Sequence, residues 1–145
     1  MNFQLIDGEF YKLGSDCEII HLLFRLGWSA AKICGVLDGE WAFVHFNGDE
    51  VFFARDRLGR KPLYYLADSN CLVVSSTIEG LTGYLNGHPE RKIVECLPGV
   101  LYFANISKEK LGSGSSDQTT VPVVTLGSVR YHDFLISTCS REVDD

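Results

Sequence analysis

The chain has 145 residues, of which 46% are apolar and 22% are charged, and its formal net charge at pH 7 is −6. This is the length of one ordinary domain with enough apolar side chains to form a core, and the acidic balance argues against nucleic acid as a partner. No run of about 18 apolar residues and no basic-then-apolar leader occurs, so we expect no transmembrane helix, no membrane partner, no signal peptide and a cytoplasmic location.

The first forty residues predict a strand and two helices. An apolar run at 3–6 stops at the turn pair Asp7-Gly8 and predicts the end of a strand. Ser15, followed three residues later by Glu18, has the pattern of a capping box, which predicts a helix start. Behind it, apolar residues recur on one helical face as far as Gly27, and a second, shorter helix is predicted soon after that glycine.

The middle of the chain changes to a β pattern. Residues 40–46 and 50–55 are rich in aromatic and β-branched side chains and flank Asn47-Gly48, the strongest short hairpin signal. Both runs are too continuously apolar for a sheet with one solvent-exposed face. We therefore expect a sheet that other parts of the protein cover on both faces, or nearly so. Residues 56–62 read as a polar loop.

Further strands and one short helix are predicted after this loop. Residues 63–67 and 71–75 predict a second hairpin, and Ser76 or Thr77 is expected to cap a short helix. The stretch 92–104 predicts one or two strands, which are broken at a Pro-Gly pair.

The end of the chain has a different composition. Residues 112–120 are almost entirely Gly, Ser, Thr, Asp and Gln, which is typical of a flexible linker. The apolar patches at 121–126 and 129–135 leave two outcomes open, a strand each or no stable structure.

Cysteine usage favours free thiols. The five cysteines are widely spaced, and no two of them form a Cys-x-x-Cys pair. They are Cys17, Cys34, Cys71, Cys96 and Cys139. A disulfide framework or a zinc site is therefore poorly supported. We expect buried or free thiols in a reducing compartment, and no metal.

Three ordered stretches carry a family resemblance, namely 14–18 (GSDCE), 37–43 (LDGEWAF) and 54–65 (ARDRLGRKPLYY), and Leu97-Pro98-Gly99 follows them. Together they closely resemble the glutaminase domain of glutamine-dependent asparagine synthetases, which are class II amidotransferases. The resemblance extends over residues 3–104. It divides the chain into a partial amidotransferase domain at 1–105 and a flexible linker with a poorly defined tail at 106–145.

The resemblance implies both a fold and a chemistry. The fold would be α+β, an N-terminal-nucleophile-type sandwich of antiparallel sheets flanked by helices, of which this chain holds a partial αββα arrangement. In that chemistry an N-terminal cysteine attacks the glutamine amide, its own α-amino group acts as base, and ammonia passes to an ATP-using domain. The implied partners are L-glutamine and a synthetase domain or subunit, and no cofactor is expected.

The resemblance also implies roles for four residues. The family's Asn-Gly-Glu step matches Asp7-Gly8-Glu9. Gly8 would supply an oxyanion-hole amide, whereas the carboxylate of Asp7 would repel the oxyanion that the family's asparagine stabilises. Glu9 matches a residue that holds glutamine, and Asp16 matches the carboxylate that binds the α-ammonium group of the substrate.

Simpler structural roles remain open for the same residues. Asp7-Gly8 has the composition of a turn, and Asp16 is a first-turn acid that favours the helix dipole. A cluster at the start of the polar loop suggests either a phosphate site or, preferably, a solvated loop with local ion pairs. Its members are Arg55, Asp56, Arg57, Arg60 and Lys61.

The sequence departs from the family pattern at the nucleophile. Asn2 stands where the family has its cysteine next to the initiator methionine, and Thr77 stands where the family usually has glutamate. We therefore expect no catalytic residue in this chain and an asparagine synthetase-like domain without glutaminase activity of its own. Two alternatives remain, a glutamine-binding regulatory pseudoenzyme and a structural interaction module whose exposed sheet edges dock onto a partner.

Overall fold

A computed structural model of the chain describes residues 2–6, 8–110 and 120–132. Over these residues the chain forms nine strands, three α-helices and one 3-10 turn at Gly83–Leu85. The helices are α1 (Asp16–Arg25), α2 (Ala30–Val36) and α3 (Glu79–Thr82). The strands are β1 (Asn2–Ile6), β2 (Glu9–Leu13), β3 (Ala42–Asn47), β4 (Glu50–Arg55), β5 (Tyr64–Ala67), β6 (Leu72–Ser75), β7 (Val94–Glu95), β8 (Val100–Lys110) and β9 (Thr120–Arg130).

The larger sheet is antiparallel and has the strand order β3-β4-β8-β9. The predicted Asn47-Gly48 turn joins β3 to β4, and Gly48 adopts the positive φ of 62° that this tight turn requires. Val51 and Phe53 of β4 alternate with Phe52, so the two sets of side chains face opposite sides of the sheet.

The smaller sheet is also antiparallel, with the order β6-β5-β7, and it packs on one face of the larger sheet. The two sheets share a core of apolar side chains, because each strand contributes alternate residues to the facing surface. The buried members of this core are Val51, Phe53, Leu63, Cys96, Val100, Tyr102 and Ala104. The break predicted at Pro98-Gly99 separates β7 from β8 as expected.

The helices α1 and α2 cover the other face of the larger sheet. Ala30 and Cys34 of α2 pack with Ala54 and Leu101 of the sheet, and Phe24 of α1 packs against the same cluster. The order of layers is therefore helix, sheet, sheet, which confirms the predicted α+β class with antiparallel sheets. The larger sheet is covered on both faces over β4 and the start of β8, whereas Val44 and Phe46 of β3, Phe103 of β8 and Val129 of β9 are exposed, so the predicted two-sided cover is only partial.

The first hairpin, β1 with β2, forms a separate two-stranded sheet. Ile6 at the end of β1 is buried against Leu23 of α1 and Ile33 of α2, which attaches the hairpin to the helical layer. In the described part of the chain, no helix is long and apolar enough to cross a membrane.

The end of the chain departs from the predicted division at one point. Residues 106–110, predicted to belong to a flexible linker, continue β8. Of the two outcomes left open for the apolar patches at 121–126 and 129–135, the structure shows a strand at Thr120–Arg130. All eleven residues of β8 pair with β9, and Val124 and Leu126 pack against the core between the sheets. Burial of these β-branched and aliphatic residues provides the stabilisation that the local sequence alone does not indicate. The predicted linker at 112–119 and the residues after 132 lie outside the described residues.

Candidate functional site

Two of the predicted site residues, Gly8 and Glu9, lie at the first hairpin. Asp7 lies outside the described residues. Gly8 follows it in the loop of this hairpin, is exposed and has a φ of +83°. Glu9 begins β2 as the partner of Ile6 and is also exposed. The positive φ and the exposure of Gly8 are those of a residue in a tight turn.

Asp16 is the first residue of α1 and is exposed. The predicted capping box is only half formed, because Ser15 occupies the N-cap position but its side chain makes no capping hydrogen bond. Instead Glu18 accepts a hydrogen bond from the Gly14 amide at 2.6 Å. The Asp16 carboxylate is exposed at the start of the helix, where a cationic group could pair with it.

Strand β2 separates these candidate ligands. Glu9 stands at the first position of β2 and Asp16 follows the last position, Leu13, by three residues. At about 3.3 Å per residue, the strand from Glu9 to Leu13 is about 13 Å long, which is longer than a glutamine molecule. The Gly8-Glu9 turn and the Asp16 carboxylate therefore lie at opposite ends of the strand that connects them.

The loop after β4 is organised by a buried carboxylate. Asp56 is only 1% exposed, and its two oxygens accept hydrogen bonds from the amides of Leu58 (3.2 Å), Arg60 (3.0 Å) and Lys61 (3.0 Å). Burial by itself raises the pKa of this carboxyl, but the hydrogen bonds from Lys61 and Arg60 and other backbone amides outweigh it and hold the pKa below its usual value. Asp56 thus acts as an internal anchor for the loop.

The basic side chains of the same loop form surface ion pairs, as the preferred interpretation of the sequence predicted. Arg60 lies 3.2 Å and Lys61 4.0 Å from Glu40, and Arg57 lies 3.7 Å from Asp38. Arg57, Arg60, Asp38 and Glu40 line a cleft of about 200 Å³. Arg55 was grouped with them but differs, because its side chain is 7% exposed and pairs with Glu95 of β7 at 3.3 Å, between the two sheets.

Two features of this region were missed by the sequence reasoning. The Tyr131 hydroxyl, from the segment after β9, donates a hydrogen bond to the Arg55 carbonyl. The same Tyr131 ring lies 5.9 Å from the Trp41 ring, centre to centre, which joins the end of the described chain to the start of β3. An apolar patch in the tail was the available signal, but nothing in the sequence specified what it contacts.

The described cysteines are all free thiols in different environments. Cys34 and Cys96 are buried, and burial raises the pKa of each thiol to about 12. Such thiols are neutral at physiological pH and are therefore poor nucleophiles. Cys17 is exposed on α1 and Cys71 is half-buried beside β6, whereas Cys139 lies outside the described residues.

His45 of β3 lies close to an aromatic ring and to a second histidine. His45 of β3 stacks on Phe24 at 3.8 Å between ring centres, and His21 of α1 is 5.8 Å away. Burial and, to a smaller extent, the nearby His21 lower the pKa of His45.

A second cluster contains Asp68, His88 and Glu90. The atoms with which these three side chains could bind a metal ion all lie within 4.8 Å of one another. Asp68, however, already accepts a hydrogen bond from Arg91 at 2.6 Å, so a cation would have to compete with a guanidinium group.

An open groove of about 710 Å³ lies beside the β3–β4 turn and is lined by Phe46, Asp49 and residues of β8. A much smaller cavity of about 10 Å³ lies between Cys34 and Tyr131. Neither of these cavities nor the cleft at Arg57 is lined by Gly8, Glu9 or Asp16.

Comparison with known proteins identifies relatives. A family model described as a glutamine amidotransferase domain matches residues 4–83. A Methanocaldococcus jannaschii protein assigned as asparagine synthetase (glutamine-hydrolyzing) 2 is 39% identical over 71 residues, which are 47% of this chain and 13% of the relative. Amidase chry2 of Gibberella zeae is 33% identical over 96 residues, which are 58% of this chain and 14% of the relative. The chain thus spans about one seventh of the length of these relatives.

Proposed function

The chain belongs to the glutamine amidotransferase domain family, and from that membership we propose that it is an asparagine synthetase-like amidotransferase domain that releases no ammonia from glutamine by itself. The relationship to asparagine synthetases rests on the family match and on the archaeal relative. The layer order of helix, sheet, sheet also supports our proposal that the sandwich is of the N-terminal-nucleophile type. The free thiols support a reducing, cytoplasmic location.

The environment of the thiols carries the proposal of inactivity. Amide hydrolysis by a cysteine requires an accessible thiol that an adjacent base can deprotonate. Cys34 and Cys96 are buried with raised pKa values. Cys17 in helix α1 and Cys71 just before β6 are both in mid-chain, so neither carries the α-amino group that the reaction needs as its base. An aspartate at position 7 is a further obstacle, because a carboxylate repels a developing oxyanion.

The test is an assay of ammonia release by the purified chain with glutamine. We expect no release above the enzyme-free blank, since the reaction lacks its nucleophile. A full-length glutamine-hydrolysing asparagine synthetase, assayed in parallel, shows that the conditions support the reaction. Turnover by the chain that is lost in a Cys17→Ser or Cys71→Ser variant would contradict the proposal and would also identify the nucleophile.

A glutamine-binding regulatory domain is the second candidate, and the exposed Asp16 carboxylate at the start of α1 favours it. If glutamine binds there, replacing Asp16 with alanine removes a charge-assisted hydrogen bond to the α-ammonium group and weakens binding by about tenfold or more. Isothermal titration calorimetry measures this change. Asp38→Ala, which also removes an exposed acid, is the matched control and should leave glutamine binding unchanged.

Asp16 and Gly8-Glu9 stand at opposite ends of β2, so we expect a glutamine held at Asp16 to gain little from Glu9 and any such binding to be weak. If glutamine produces no heat with the unmodified chain, the glutamine-binding candidate is wrong. The third interpretation, a structural interaction module, then becomes the best account of the chain, since it requires no ligand.

A further inference from the structure

His45 of β3 lies in the contact between the larger sheet and helix α1. Its ring stacks on the Phe24 ring of α1, with 3.8 Å between the ring centres and 12° between the ring planes. Phe24 also lies 5.6 Å from Phe52 of β4 and 6.2 Å from Phe43 of β3, centre to centre. An ionisable side chain therefore forms part of the aromatic cluster that joins α1 to the first two strands of this sheet.

The imidazole of His45 leaves one of its nitrogens without a hydrogen bond. Within the described residues, Nδ1 of His45 is buried and has no hydrogen-bond partner. A neutral imidazole can keep one ring nitrogen as an unprotonated acceptor, whereas an imidazolium carries a proton on both nitrogens. A buried, charged N–H without an acceptor is unfavourable, so this contact suits the neutral form of His45.

The ionisable groups around His45 reinforce this preference. From α1, His21 faces His45 with 5.8 Å between the ring centres, and it carries a positive charge of its own when protonated. From β4, Phe52 pairs directly with His45, and Glu50, one pair further along, is the acid on the same face of the sheet. The other ionisable residues one turn from His21 on α1 are Cys17, Glu18 and Arg25.

The acids among these groups do not compensate for burial. Burial first, and the charge of His21 second, hold the pKa of His45 below its usual value. Protonation therefore favours a state in which the His45 ring is exposed to water. The contribution of His45 to the packing of α1 is complete above the ordinary histidine pKa of about 6.5 and is lost as the pH falls below that value.

We propose that the stack of His45 on Phe24, with His21 beside it, is a pH-sensitive contact that releases α1 from β3 at mildly acidic pH. In the packed state the neutral His45 ring lies on Phe24. In the released state both imidazoles are charged and hydrated, and Phe24 leaves the cluster. Because Asp16 begins α1, release would also move the carboxylate of the glutamine-binding candidate; that consequence rests on the candidate function, whereas the release itself does not.

Hydrogen exchange of the α1 amides between about pH 7.5 and about pH 5.5, corrected for the intrinsic pH dependence of exchange, tests this proposal. At the lower pH, a hydrated histidine with the ordinary pKa is charged about ten times more often than it is neutral, whereas a packed neutral histidine gains nothing. We therefore expect the protection of α1 to fall severalfold, by up to about tenfold for each histidine. The amides of β8, which pairs on both sides with other strands, are the internal reference and should keep their protection.

Three variants identify the groups that respond to pH. His45→Phe keeps a ring on Phe24 but cannot be protonated, so its α1 protection should no longer fall on acidification. His21→Gln removes the second charge and should reduce the fall. His88→Gln is the matched control, because His88 is exposed in the loop after the 3-10 turn, and it should respond as the unmodified chain does.

Far-UV circular dichroism at the higher pH checks that each variant folds, and His45→Gln replaces His45→Phe if that variant does not. Protection of α1 that is the same at both pH values in the unmodified chain would overturn the proposal. So would a pH response that persists unchanged when His45 is replaced, because the responding group would then lie elsewhere.

Discussion

Replacement of Asp56 by alanine is expected to lower the free energy of unfolding by about 2–4 kcal/mol, because it leaves three part-buried backbone donors of the loop without their acceptor. The amides of Leu58, Arg60 and Lys61 all donate to the Asp56 carboxylate, which is 1% exposed. Each buried donor that loses its partner costs about 1–3 kcal/mol, and loop movement that admits water reduces the total. Urea unfolding followed by circular dichroism measures the change.

The Asp56→Asn variant serves as the matched comparison. Its amide oxygen can still accept from Leu58 and Arg60, but its amide nitrogen then faces the Lys61 donor, so we expect a smaller loss of about 1–3 kcal/mol. Equal losses in the alanine and asparagine variants would show that side-chain volume, and not hydrogen bonding, explains the effect.

The same carboxylate should make the stability pH-dependent. The pKa of Asp56 is lower in the folded chain than its usual value, so the unfolded chain binds the proton more readily. This contribution is complete above the unfolded pKa of about 4 and is lost as the pH falls through the folded pKa. Compared with Asp56→Asn, the unmodified chain should therefore lose more stability on acidification below about pH 4.

Replacement of Gly59 by alanine is expected to cost about 3 kcal/mol of unfolding free energy, from a strained backbone and a steric clash together. Gly59 has a φ of +65°, and an added Cβ would lie 2.7 Å from Pro98 Cγ and 2.8 Å from Arg55 Nη2. Neither neighbour can move away easily, because the proline ring is rigid and the Arg55 side chain is buried and paired with Glu95. Thermal or urea unfolding measures the loss.

Gly27→Ala separates the two causes. Gly27 has a similar φ of +83°, but an added Cβ would meet nothing within 4 Å. We expect this variant to lose only the backbone contribution of about 1 kcal/mol. If Gly59→Ala is no more destabilising than Gly27→Ala, the close packing of the loop against Pro98 and Arg55 does not contribute to stability.

Local patterns predicted much of the fold correctly. The hairpin at Asn47-Gly48, the helix ending near Gly27 and the break at Pro98-Gly99 were all confirmed. These features depend on residues that are neighbours in the chain, such as a glycine that adopts positive φ in a turn. The capping box did not form as predicted, because the Ser15 side chain makes no capping hydrogen bond and Glu18 accepts from the Gly14 amide, one residue before the N-cap.

The arrangement of the candidate site residues in space could not be predicted from local sequence patterns. The sequence placed Gly8, Glu9 and Asp16 within nine residues of one another, but strand β2 lies between the turn and the helix start. The loop cluster was predicted as ion pairs, and this was confirmed for Arg57, Arg60 and Lys61. The burial of Asp56 was not predicted, since a carboxylate in a polar loop is usually exposed.

The sequence by itself determined the family of this chain, its α+β class and the position of most turns, because motif order, apolar periodicity and turn chemistry are local properties. Only the tertiary structure decided that Asp56 is an internal anchor, that β9 completes the larger sheet and that β3 lies uncovered at its edge. These outcomes depend on which distant segments pack over a residue. Val44 and Val51 have the same side chain and both occupy strands of one sheet, yet one is 51% and the other 6% exposed, because the smaller sheet covers β4 and does not extend over β3.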